Sequence, residues 1–125
     1  MKIEIPFEGG PIEAVLPDGA EVLRMGETPP LAEPGEAVRR ALREPIGCRS
    51  LAEVAGSRRA RRAGARACVV VSDKTRPVPY RGPEGLLAPI LDTLIASGYA
   101  PGDVTILVAT GMHSEMGRAE LEKML

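Results

Sequence analysis

Two short apolar runs rich in β-branched residues, Ala67–Ser72 and Val104–Ala109, bracket a stretch whose apolar residues recur at helical spacing. That arrangement leaves few folds open. Each run has the length and composition of a buried strand. Between them Leu86, Leu87, Ile90, Leu91, Leu94 and Ile95 form one wide apolar stripe. Pro89 is compatible with that helix when the first turn starts near Leu86, since a proline deeper inside would remove a main-chain hydrogen bond. Gly98 is a natural helix stop and Pro101-Gly102-Asp103 turns the chain. Strand, crossover helix and strand predict a βαβ unit over 67–109, and such units are parallel and right-handed in nearly all cases.

Parallel strands deliver their following loops to the same sheet edge, where open α/β sheets bind ligands. One loop is Asp73-Lys74-Thr75-Arg76-Pro77 and the other Thr110-Gly111-Met112-His113. Pro77 ends pairing and biases Arg76 towards an extended backbone. If the strands are neighbours the loops begin only about 5 Å apart, so Asp73, Arg76 and His113 would line one crevice. His113, the single histidine, is the side chain whose unperturbed pKa lies nearest neutrality; it is either the natural general acid/base or a surface histidine that caps a loop or helix. Arg76 offers a planar fork for a carboxylate or phosphate, or a stiffening bridge to Asp73. Asp73 can orient Arg76, accept a hydroxyl hydrogen bond, or make an Asx turn. Gly111 permits a tight turn and close backbone approach by a ligand. Lys74 is expected to face solvent.

The remaining chain reads as scaffold. Residues 1–25 predict a β-meander: Ile3, Ile5 and Phe7 alternate with polar neighbours, Gly9-Gly10 turns, Ile12, Ala14 and Leu16 resume, and Val22-Leu23 continue as a third short strand after Pro17-Asp18-Gly19. Residues 35–56 predict two short helices. The first places Ala37, Val38, Ala41 and Leu42 on one face and ends before Pro45. The second is capped by Ser50 with Glu53 three residues on, a capping-box spacing, and ends at Gly56. The basic run from Arg58 to Arg66 is either a phosphate or nucleic-acid patch or a solvated surface segment, and the second is preferred, since no aromatics interleave it and acidic residues balance it elsewhere.

Composition excludes several function classes. The chain has 125 residues, room for one domain, and a formal net charge of −1 that gives no global pull to nucleic acid or membrane. Its three aromatics, Phe7, Tyr80 and Tyr99, make no base-stacking platform. Cys48 and Cys68 lie too far apart for a paired metal motif, and with one histidine they cannot close a structural zinc site, so both are expected as reduced thiols in a cytoplasmic protein. No signal peptide or long apolar span is present, and no Walker loop or serine–histidine motif.

Ser72-Asp73-Lys74-Thr75-Arg76-Pro77-Val78-Pro79 and Ile106-Leu107-Val108-Ala109-Thr110-Gly111-Met112-His113 resemble two hallmark segments near the N-terminus of the nickel-pincer lactate racemase family. Ala41-Leu42-Arg43-Glu44-Pro45-Ile46-Gly47, followed by Leu51, resembles a third, in the family order. The resemblance runs from about residue 36 onwards. It implies an α/β fold with a Rossmann-like parallel βαβ unit, forming a truncated part of a larger domain. It also implies a parent enzyme that interconverts the enantiomers of lactate or a related 2-hydroxy acid. The implied cofactor is a nickel-pincer nucleotide, a pyridinium thioamide/thiocarboxylate mononucleotide carrying nickel. By the same resemblance His113 is one of two acid/base groups, Arg76 holds the substrate carboxylate, and Asp73, Thr75 and Gly111 belong to the cofactor side of the site. The family's usual basic residue after the histidine is Ser114 here.

The second histidine, the cofactor-bonding lysine and the nickel ligand of that family lie beyond the matching segments. The chain, reaching Leu125 inside helical sequence, is therefore expected to be an N-terminal piece that binds the cofactor incompletely and is inactive alone. The remainder of the parent polypeptide is then its partner. Two other classes stay open on the residues themselves. One is a non-catalytic α/β small-molecule or anion-binding module; the other is a structural domain that docks or self-associates through an open sheet edge.

Overall fold

The computed structural model describes residues 1–125, which fall into two compact units, Met1–Pro30 and Leu31–Leu125. In the first unit, strands β1 (Lys2–Ile5) and β2 (Ile12–Val15) pair antiparallel, with Lys2 opposite Val15 and Ile5 opposite Ile12. The turn between them closes through the Gly10 N–H, which donates to the Phe7 carbonyl at 3.0 Å. Across the pair Lys2 meets Glu13 at 2.7 Å. The third strand expected at Val22-Leu23 does not form. The Pro17-Asp18-Gly19 turn is made, with the Ala20 N–H on the Pro17 carbonyl, but Val22-Leu23 joins neither strand and Leu23 is 85% exposed. Two apolar residues between Glu21 and Arg24 offer too little alternation to hold an edge strand. The meander is a hairpin.

The second unit opens with helix α1 (Pro34–Arg43), whose first turn carries Glu36 and whose last carries Arg40 and Arg43, in the sense that suits the helix dipole. Arg43 also closes on Glu36 at 2.7 Å. Helix α2 (Leu51–Arg61) has the predicted capping box: the Glu53 N–H donates to Ser50 Oγ, and the Ser50 N–H donates to the Glu53 carboxylate. It does not stop at Gly56. A mid-helix glycine costs about 1 kcal/mol, and Arg58, Ala60 and Arg61 beyond it are good helix formers, three basic residues filling the last turn. The chain turns at Ala63-Gly64 instead. The basic run is therefore half helical. Its Arg58, Arg61, Arg62 and Arg66 are exposed. Arg59 is not: it pairs with Asp103 at 3.0 Å, donates to the Ala65 carbonyl at 2.9 Å and lies 5.4 Å over the Tyr99 ring.

Strands β3 (Ala67–Ser72) and β4 (Val104–Ala109) pair parallel through helix α3 (Leu87–Ala96), residue by residue from Ala67 opposite Val104 to Ser72 opposite Ala109. Pro89 is the third residue of α3, where no intrahelical donor is lost. Helix α4 (Arg118–Met124) comes last. Ala55, Ala65, Leu94 and Tyr99 form the core, with Leu51, Ala67, Val69, Ile90 and Val104 packed on it. The two strands are buried on that face alone. Val70 and Leu107, expected inside, are 62% and 52% exposed, because α2 and α3 cover one side whereas a parallel sheet usually carries helices on both. No helix is long and apolar enough to cross a membrane.

Candidate active site

The site is built where β3 and β4 end together, since the Ser72–Ala109 pair puts Asp73 and Thr110 side by side. Asp73 is 3% exposed, the one buried charged residue of the chain. Its Oδ1 accepts the Thr75 N–H at 3.1 Å and the Thr75 hydroxyl at 2.6 Å, an Asx turn doubled by a side-chain bond. The Arg76 N–H returns to the Asp73 carbonyl at 3.2 Å. The loop thus folds around this carboxylate.

From the other strand, the His113 N–H donates to the Thr110 carbonyl at 3.0 Å, closing a turn in which Gly111 takes φ +59°. A side chain there would be strained, so glycine suits the turn. The turn brings His113 Nδ1 to 2.6 Å from Asp73 Oδ2. The Thr75 hydroxyl lies 3.4 Å from the same nitrogen, but its own hydrogen is already given to Asp73.

The Asp73 carboxyl is held below its usual range, first by the Thr75 hydroxyl and also by the His113 ring and the Thr75 N–H, against the opposing effect of burial. It is a carboxylate at neutral pH and can only accept. The hydrogen in the 2.6 Å contact therefore belongs to Nδ1. That leaves Nε2 as the free ring nitrogen on a side chain 53% exposed. The arrangement is an oriented imidazole with one face open to solvent.

Arg76 is placed differently. Neither the Asp73–Arg76 bridge nor an Arg76–His113 contact is made; Asp73 spends its oxygens on Thr75 and His113. Arg76 instead lines a cleft of about 480 Å³ with Lys74, Tyr80, Arg81, Glu120 and Lys123 and the apolar Val78, Pro79 and Met124. Of the expected residues, Asp73, Thr75 and His113 are in mutual contact, and Gly111 supplies the turn. Arg76 leaves the Asp73 loop into the adjoining cationic cleft.

Other residues carry this edge without having been singled out. Lys74, expected in solvent, forms an ion pair with Glu120 of α4, while the other oxygen of Glu120 accepts the Gly117 N–H at 2.9 Å. Arg81 Nη1 donates to the Glu122 carbonyl at 2.6 Å, near the last turn of α4 where carbonyls lack helical partners. Tyr80 reaches back to Ser72. These partners are separated by up to 46 residues, and only a tyrosine's need for a hydroxyl partner when buried hinted at any of them. No group of three His, Cys, Asp or Glu side chains that could hold a metal ion occurs in the chain.

A family model described as the lactate racemase N-terminal domain matches residues 7–125. A curated relative, lactate racemase of Thermoanaerobacterium thermosaccharolyticum, is 31% identical over 115 residues, covering 89% of this chain and 25% of the relative. The chain thus spans about a quarter of that relative's length.

Proposed function

The chain belongs to the lactate racemase N-terminal domain family, and from that premise we propose that it carries one half of the active site of a racemase or epimerase acting on lactate or a related 2-hydroxy acid. The observation that supports this most is the His113 ring, tied through Nδ1 to a buried carboxylate with Nε2 left free. On this reading the hydrogen on carbon leaves with its electron pair and returns to the opposite face, as the family resemblance implies. As it leaves, the hydroxyl must give up a proton. His113 Nε2 is the base for that proton and returns it as the hydroxyl re-forms. Asp73 fixes the ring's orientation and stabilises the imidazolium formed in between. Arg76, which lines the neighbouring cleft, takes the substrate carboxylate through its planar fork.

On this reading the residues of this chain would meet the organic portion of a nickel-pincer nucleotide and not its metal. The one histidine is committed to Asp73 and no ligand cluster exists. Thr75 lies beside the pair, and nothing stands within 4 Å of where a side chain on Gly111 would be, so a flat ring could approach the backbone there. When bound, the nickel-pincer nucleotide supplies the acceptor for the hydrogen leaving carbon. The nickel ligands and the second acid/base group would come from the rest of a parent polypeptide, which would also cover Val70 and Leu107 on the open sheet face. Left uncovered, the free edges of β3 and β4 favour self-association.

A second reading is an anion-binding module without chemistry, favoured by the cleft in which Lys74, Arg76, Arg81 and Lys123 gather. The two readings separate when the cofactor-loaded full-length parent is given a single lactate enantiomer and both enantiomers are followed by chiral chromatography. Appearance of the second enantiomer supports the racemase. Binding of the anion with no interconversion supports the module. The 125-residue chain alone should give no turnover under the same conditions.

A further inference from the structure

Tyr80 is the one side chain that ties the end of β3 to the start of α3. Its hydroxyl accepts the Ser72 N–H at 2.8 Å and shares a second hydrogen bond with Ser72 Oγ at 2.7 Å. Its own main chain is anchored at the other side: the Tyr80 carbonyl accepts the Leu87 N–H at 3.3 Å and its N–H donates to the Val78 carbonyl at 3.0 Å. Gly85 packs against the same stretch so closely that a Cβ on it would lie 2.6 Å from the Tyr80 and Arg81 carbonyl oxygens, leaving that anchor little freedom to shift. The segment 73–79 is therefore a loop whose two ends are pinned to each other by one phenol. Asp73 is the first residue inside that closure, one peptide from Ser72.

The geometry points to Tyr80 as a positioning residue for the Asp73–His113 pair: its hydroxyl sets the last peptide of β3, and that peptide sets the carboxylate within reach of Thr75 and His113 together. A 2.6 Å contact on each oxygen of Asp73 tolerates little displacement. Removing the phenolic oxygen keeps the ring but frees Ser72, and both contacts then lengthen together. The inference rests on reading the pair as functional, yet its test needs no turnover.

The test follows the Asp73 carboxyl carbon by NMR through an acid titration of the 125-residue protein, in the native form and in Tyr80→Phe and Ser72→Ala. In Tyr80→Phe the Asp73 midpoint should move up towards the ordinary carboxylate range, with helix content by circular dichroism unchanged. Ser72→Ala keeps the main-chain bond to the phenol, so its midpoint should move the same way by less, and it decides the matter if Tyr80→Phe fails to fold. Midpoints identical to the native protein in the folded variants, with only the melting temperature lowered, would show Tyr80 to be a packing residue and overturn the proposal. That outcome leaves the racemase reading standing. Absence of lactate interconversion by the parent would remove that reading without touching the Asp73 titration.

Discussion

At the residue scale the site depends on how two oxygens are shared. Asp73 gives one to Thr75 and the other to His113, and this division is why Arg76 is free of the bridge that its spacing from Asp73 suggested. Arg76 is exposed and lies in the neighbouring cleft. A substitution there should act on ligand binding and not on folding. Arg76→Lys in the full-length parent keeps the charge and loses the planar fork, so KM for the 2-hydroxy acid should rise while the melting temperature stays within about a degree of the native value. A drop in melting temperature with unchanged KM would make Arg76 a structural residue. The sequence was legible at these positions because chemistry-bearing residues come immediately after each apolar run. Their partners were not legible. Lys74 finds Glu120 and Arg81 finds the end of α4 across more than 40 residues, and no local spacing encodes such meetings.

Elements were readable wherever local chemistry decided them. β3 and β4 end where the β-branched runs end, Pro89 falls in the first turn of α3, and Ser50 caps α2 through Glu53. They misled where tertiary context outweighed a local signal. Gly56 is absorbed into α2, and Val22-Leu23 lacks a partner strand. The cap makes its own prediction. Ser50→Ala should destabilise the protein by roughly 0.5–2 kcal/mol at neutral pH, the usual cost of losing such a cap. Glu53 is held below its ordinary range mainly by the Ser50 hydroxyl, with the Ser50 N–H adding. A carboxyl lowered in the folded state stabilises above its unfolded pKa, and that contribution disappears as pH falls through the folded value. The stability gap between Ser50→Ala and the native protein, measured by urea denaturation, should therefore narrow on acidification. A gap that widens towards low pH would show that the Glu53 carboxylate is not what the cap holds.

For the whole molecule, the sheet of β3 and β4 has one covered and one bare face. Helices α2 and α3 bury Val69, Val71 and their neighbours, enough to hold the strand ends in register and so to bring His113 to Asp73. The apolar character of both faces of β3 and β4, read in the sequence as full burial, is met on one face only, and Val70 and Leu107 stay exposed on the other. On the proposed racemase reading catalysis needs the full-length parent, and the most direct measurement is made there. His113→Ala in the cofactor-loaded full-length parent removes the proposed base and leaves Asp73 and Arg76 in place. Turnover between lactate enantiomers should fall by at least about a hundredfold, the lower range for a positioned general base, with nickel content by elemental analysis unchanged. Turnover within a few-fold of the native enzyme, at full nickel content, would contradict the assignment of His113 as the base.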